Sequence, residues 1–233
     1  MPFARNVAAE RYALARAICK GAATVLLCAA TMVAATGAAA AEAPLRLIAF
    51  GDSLTHGFGL DQGDGFVPQL DAWLAGQGHP QVEVINMGVS GDTTAGGKAR
   101  LGWALADGAD ALILELGGND MLRGVDPAVS RENLRAMLQD LAARDIPVLL
   151  AGLEAPLNYG PEFKAAFDGM YAELSAEFGT LLYPSFVDGL VGQPDLMQSD
   201  GIHPNKDGVA RIVEGIGPLV LDLIAQAQPK ATQ

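Results

Sequence analysis

The stretch AFGDSLTHGFG, Ala49 to Gly59, ends an apolar run at Phe50 and continues in glycines and small polar residues. A break of this kind reads as the carboxyl end of a buried strand feeding a turn. Ser53 in that turn has two readings. It is a capping serine, ordinary in turns, or a nucleophile carried on the strand end, which then needs a base elsewhere in the chain. A phosphate cradle is excluded. With Gly57 and Gly59 in place, G-x-G-x-x-G requires glycine at position 62, where Gln62 stands, and no Walker lysine follows.

Similar apolar runs recur along the chain: Leu45–Phe50, Val82–Asn86, Ala111–Leu116, Val148–Gly152 and Thr180–Tyr183. Several are apolar throughout, as strands buried on both faces are. Helical spacing lies between them. Phe66–Ala75 places Phe66, Leu70, Trp73 and Leu74 on one side. Pro127–Arg144, Phe163–Phe178 and Lys206–Ala227 carry longer apolar stripes, with Gly179 stopping the second. Gly215, Gly217 and Pro218 predict a break or kink in the last. Strands alternating with helices imply a parallel sheet covered on both faces. Five strands predict a flavodoxin-like three-layer α/β/α sandwich, with sheet order 2-1-3-4-5.

The first 41 residues differ from the rest of the 233. Arg5, Arg11, Arg16 and Lys20 precede an uncharged run, Gly21–Ala41, that closes on Ala39-Ala40-Ala41. That layout predicts a signal peptide over 1–41 and a periplasmic or secreted mature chain. An uncleaved anchor is the rival, since about 20 apolar residues span a bilayer. A single domain is expected over 42–225, with a disordered tail at 226–233. The whole chain carries a formal charge of −12, and loss of the leader takes it to about −15. An acidic surface of this size disfavours nucleic acid and anionic lipid as partners. Cys19 and Cys28 both lie in the leader, so the mature chain has no disulfide or thiol nucleophile. His56, His79 and His203 show no metal-ligand spacing. No metal and no cofactor is expected.

In doubly wound sheets ligands sit beyond the carboxyl ends of the strands. Four polar segments fall there: Gly51-Asp52-Ser53-Leu54, Asn86–Thr93, Gly117-Gly118-Asn119-Asp120, and Asp200-Gly201-Ile202-His203-Pro204. Asp200 and His203, three apart, share a side if the segment makes one helical step. Asp200 then accepts the Nδ1–H of His203 and leaves Nε2 for a serine, as a triad requires. Asp200 as a plain helix cap remains the alternative. An oxyanion needs donors. The N–H of Ser53, the N–H of Gly88 and the side-chain amide of Asn119 are the candidates, with an Asx turn the other reading of Asn119. His56 is read as lining or structural, His79 as a turn residue, Asp52, Asp92 and Asp120 as loop braces, and Trp73 and Trp103 as core.

These four blocks, in this order, resemble the GDSL, or SGNH, hydrolase superfamily. The resemblance spans essentially the whole mature chain. It is nearest to the small periplasmic thioesterase I, lysophospholipase and arylesterase type at ELGGNDMLRG (Glu115–Gly124), PLNYG (Pro156–Gly160) and MQSDGIHPN (Met197–Asn205). It implies hydrolysis of esters or thioesters without cofactor, with Ser53, Asp200 and His203 catalytic and Ser53, Gly88 and Asn119 holding the oxyanion. Met121, Leu122, Ala155, Pro156, Leu157, Asn158 and Tyr159 follow strands three and four and are expected to wall the substrate pocket. The expected partner is a small-molecule or lipid ester, and the chain is expected to work as a monomer. A carbohydrate acetyl esterase with the same triad, and a non-catalytic periplasmic binding protein, stay open as alternatives.

Overall fold

A computed structural model describes residues 44–227. The leader, whether signal peptide or anchor, and the residues from 228 on lie outside the described residues. Gln226 and Ala227, expected in the tail, belong to the last helix.

Five parallel strands form one sheet: β1 (Leu45–Gly51), β2 (Val82–Gly88), β3 (Ala111–Glu115), β4 (Val148–Ala151) and β5 (Leu181–Tyr183). Their order is 2-1-3-4-5, as expected. Leu47 to Phe50, Ala111 to Leu114 and Val148 to Ala151 are buried on both faces. This is why those three central strands read as unbroken apolar runs. Truncating a side chain such as Leu114 to alanine would cost about 2–5 kcal/mol.

The main helices are α1 (Ser53–His56), α2 (Phe66–Gly76), α3 (Thr94–Ala104), α4 (Gly118–Leu122), α5 (Pro127–Ala143), α6 (Pro161–Phe178) and α7 (Lys206–Ala227). α2 packs on α7, while α3, α5 and α6 pack in series. The two groups are the outer layers of the sandwich. α7 runs unbroken through Pro218, contrary to the expected break. Its glycines serve packing instead. A Cβ at Gly217 would lie 2.6 Å from the Trp73 ring, and one at Gly215 would strike the Tyr183 hydroxyl.

α3 is the helix the hydrophobic pattern does not reveal. It turns Thr94, Gly97, Leu101 and Ala104 inward, and only one of these is large. Trp103, expected in the core, lies between two of those positions and is 71% exposed. Trp73 does pack against the core.

The register matters most at the carboxyl edge. Gly51 pairs with Gly88 and with Glu115, Glu115 with Ala151, and Ala151 with Tyr183. One line therefore crosses the sheet, and four of the five chain segments that leave it carry the polar blocks.

Candidate active site

Ser53 opens α1 two residues beyond the end of β1. Asp52 caps this short helix, its Oδ1 accepting the Leu54 N–H at 3.0 Å. Gly57 closes the helix at φ 86°, and Gly59 follows at φ 75°. Both are left-handed conformations that glycine adopts without strain. These glycines let the chain leave the turn.

His203 arrives from the long segment after β5. Met197 and Pro204 form an isolated antiparallel bridge, and the Gln198 N–H donates to the His203 carbonyl at 2.8 Å. Between them the chain makes a tight turn with Gly201 at φ 68°. The segment is thus no helical step. Asp200 and His203 still meet, because Asp200 Oδ1 accepts the N–H groups of Ile202 (2.9 Å) and His203 (3.0 Å). Asp200 therefore braces a turn with one oxygen and caps no helix, since the next helix begins only at Lys206.

The other oxygen, Oδ2, lies 2.7 Å from His203 Nδ1, and His203 Nε2 lies 2.8 Å from Ser53 Oγ. Hydrogen bonds from the His203 imidazole, then from the His203 and Ile202 N–H groups, lower the Asp200 carboxyl to about 2. Phe58 covers the imidazole, ring centroids 4.7 Å apart. Gln198 ties the two turns together, its Nε2 donating to the carbonyls of Phe58 (2.8 Å) and Pro204 (2.9 Å).

Below Ser53 the polar groups are buried. Asp52 Oδ2 accepts from Asn119 Nδ2 at 2.9 Å. Glu115 Oε2 accepts from Thr55 Oγ1 (2.9 Å) and from the Asp52 N–H (3.3 Å). Burial pushes both carboxyls up, Glu115 well above its usual range, and the Asp52 charge adds to the shift at Glu115. Asp92 and Asp120 do brace loops. Asp92 pairs with Arg100 at 2.6 Å, and Asp120 accepts from the Thr94 N–H and the Thr94 and Ser130 hydroxyls. Arg100 also donates to the Met87 and Gly51 carbonyls, tying β2 to β1.

Gly88 is not positioned as an oxyanion donor. Its N–H is already given to Asn86 Oδ1 at 2.9 Å. Glycine is needed there for close approach, since a Cβ would sit 2.7 Å from His56 Cα. Three residues on, Gly91 lines the cleft beside Ser53, Asn119 and His203, with φ 81°. His56 itself points to Ser90, Nδ1 to Oγ at 3.1 Å, and is exposed.

The cleft over Ser53 has a volume of about 480 Å³. Met121 and Leu122 line it, but the stretch Ala155–Tyr159 does not. The chain turns away after Glu154. The Ala155 N–H and carbonyl are held by Asp168 (2.8 Å) and Lys164 (2.9 Å), and Tyr159 stacks on Phe163. The segment after β4 contributes Leu153 and Glu154 instead, and Leu54, Phe58, Val187 and Ile202 complete the apolar walls. Leu54 and Ile202 lie inside the polar blocks and Phe58 is an aromatic side chain between two glycines, whereas Leu153, Glu154 and Val187 carry no signal in the sequence. Among the described residues no group of three His, Cys, Asp or Glu side chains stands ready to hold a metal. No described helix is long and apolar enough to cross a membrane.

Such an arrangement offers a hydroxyl with a base in contact, an acid orienting the base, and amide donors beside them. Comparisons with known proteins show the family. Residues 49–211 match the model of the GDSL-like Lipase/Acylhydrolase family. The esterase TesA of Pseudomonas aeruginosa is 41% identical over 194 residues, covering 83% of this chain and 94% of that protein. The "Thioesterase 1/protease 1/lysophospholipase L1" of Escherichia coli K12 is 37% identical over 195 residues, covering 82% and 86%. A crystal structure of TesA superposes with a TM-score of 0.73 at 41% identity, covering 76% of this chain and 99% of the other. The sheet order, the placement of the four blocks and these similarities together make the chain a member of the GDSL-like lipase/acylhydrolase family of ester hydrolases.

Proposed function

We propose that the chain is a secreted serine esterase, which hydrolyses carboxylic esters with an apolar acyl or aryl part through Ser53, His203 and Asp200. The observation that carries this reading is the unbroken hydrogen-bonded line from Asp200 Oδ2 to His203 to Ser53 Oγ, at 2.7 and 2.8 Å, opening into the cleft.

Ser53 Oγ attacks the ester carbonyl carbon while His203 Nε2 takes its proton, and Asp200 accepts the Nδ1–H and steadies the imidazolium. The carbonyl oxygen becomes an oxyanion facing the N–H groups of Ser53 and Gly91 and the Nδ2 of Asn119. His203 returns the proton to the leaving alcohol as the carbon–oxygen bond breaks, leaving an acyl ester on Ser53. Water then attacks with His203 again as base, and the carboxylic acid leaves. Gly91 takes the place expected of Gly88 because its N–H has no acceptor among the described residues and Gly88's does.

Substrate class follows from the walls. Leu54, Phe58, Met121, Leu122, Val187 and Ile202 give an apolar cleft sized for a chain rather than a single acetyl group. The fatty acyl and lysophospholipid esters fit this better than an acetylated sugar. The likeness to a thioesterase supports extending the reaction to thioesters, although the acidic chain should repel strongly anionic acyl carriers. The reading keeps the leader as an export signal and the enzyme as a monomer.

Fluorophosphonate labelling of the full chain, compared with Ser53→Ala, tests the nucleophile. Labelling of the parent alone is expected, and equal labelling would end the assignment. A series of p-nitrophenyl esters of increasing acyl length tests the cleft. Strict preference for acetate would favour the acetyl-esterase alternative.

A further inference from the structure

Glu115 closes a strand, Ala111–Glu115, whose other members are all apolar, and it is followed by Leu116. It is 0% exposed. A carboxyl in such a place is unfavourable unless its bonds repay the loss of water. A leucine would pack there at least as well. The donors to Glu115 are both neutral, Thr55 Oγ1 and the Asp52 N–H, and both go to Oε2. Oε1 has no hydrogen-bond partner among the described residues. Nothing in the reaction described above uses this group.

Its placement is specific. The two donors flank Ser53, one residue before it and two after it. Gly51 lies directly against it, for a Cβ there would fall 2.5 Å from Oε2. Asp52, gripped through its N–H, uses its own carboxyl to hold the Leu54 N–H and the Asn119 amide. One oxygen of Glu115 thus touches the turn that carries the nucleophile and, through Asp52, the side chain that faces the oxyanion.

We propose that Glu115 is a positioning residue for ester hydrolysis, whose buried carboxyl holds the Ser53 turn and, through Asp52, the Asn119 amide in reacting geometry. The inference rests on the roles given above to Ser53 and Asn119. Both donors go to one oxygen, so what the function needs at this point is an acceptor oxygen. An amide oxygen supplies the same acceptor.

The experiment compares Glu115→Gln, Glu115→Ala and Thr55→Val with the parent full-length protein. Fluorophosphonate labelling counts reactive sites, and kcat and KM for a p-nitrophenyl ester are measured per labelled site. Glu115→Ala should lower kcat by about 10²-fold, the scale for a reacting group displaced by an ångström, with KM little changed because the cleft walls are intact. Glu115→Gln should recover most of that loss. Thr55→Val, which removes one hydroxyl and keeps the shape, should fall between them. A purely structural role would lower the number of labelled sites and leave kcat per site alone, and that result overturns the proposal. So do equal losses in the Gln and Ala variants. If Glu115→Ala does not fold, parent-like turnover in Thr55→Val overturns it instead. Failure of the parent to label, or labelling of Ser53→Ala, would sink the assignment of Ser53 and is read from the same gel.

Discussion

Two sets of carboxyls meet near Ser53, and their surroundings move their protons in opposite directions. Asp200 sits on an exposed turn, receives two backbone N–H bonds and an imidazole, and is lowered to about 2. Glu115 and Asp52 lie under the turn, shut off from water, and burial raises both. In the proposed mechanism the charge that steadies an imidazolium is Asp200's, and it sits where water and donors favour the ionised form. The groups that only have to hold backbone in place are buried. The same residue types therefore do different work on the two sides of one serine.

The largest expected effect breaks the exposed side. Asp200→Asn keeps the size of the side chain but presents an amide to Nδ1, so His203 is held in the wrong tautomer with Nε2 no longer a base. A loss of about 10⁴ in kcat is expected, the scale known for this change in triads. Stopped assays with a p-nitrophenyl ester measure it. A loss smaller than that from Glu115→Ala would invert the comparison, making the floor more important than the acid.

Asn119 is where the two regions join, since its Nδ2 donates to buried Asp52 while the residue lines the cleft. Asn119→Ala removes one oxyanion donor, and kcat should fall by about 10²–10³ with little change in KM. Unchanged turnover would remove Asn119 from the oxyanion site and leave it as a brace for Asp52.

What the sequence makes legible follows the same division. The buried strands are readable because they are apolar on both faces, and their alternation with helices points to the flavodoxin-like arrangement whose order the sheet has. Asp200 and His203 are readable because they stand three positions apart, even though a turn around Gly201 and not a helix brings them together. Gly88 misleads because a glycine after a strand looks like an open donor. Only the fold shows that its N–H is taken by Asn86 and that α1 presses against its Cα. The Ala155–Tyr159 wall fails for a similar reason. The Lys164–Asp168 pair on α6 turns that segment away from the cleft, which no local pattern reveals. Glu115 lies within ELGGNDMLRG, yet nothing in the sequence tells a buried strand-end carboxyl from an exposed one.

The smallest effect separates the two regions by pH. Above its ordinary value of 4.5 the Glu115 carboxyl loses its proton in the unfolded chain but keeps it in the folded one, where its value is raised. The native state then binds more protons than the unfolded state, so stability falls as pH rises through that window. Asp200 works the other way. Its folded value is lowered from 3.8 to about 2, so its contribution is present above 3.8 and lost as pH falls through about 2. That contribution is small, because the side chain is 37% exposed and water screens it. Thermal melts of the parent, Glu115→Gln and Asp200→Asn across pH test both signs. The Glu115→Gln protein should lose less Tm than the parent as pH rises above 4.5. The Asp200→Asn protein should differ from the parent at neutral pH and converge on it only near pH 2. Parallel melting curves for the parent and Glu115→Gln would mean that the buried carboxyl ionises as freely as a surface one, and the contrast between the two regions would fail.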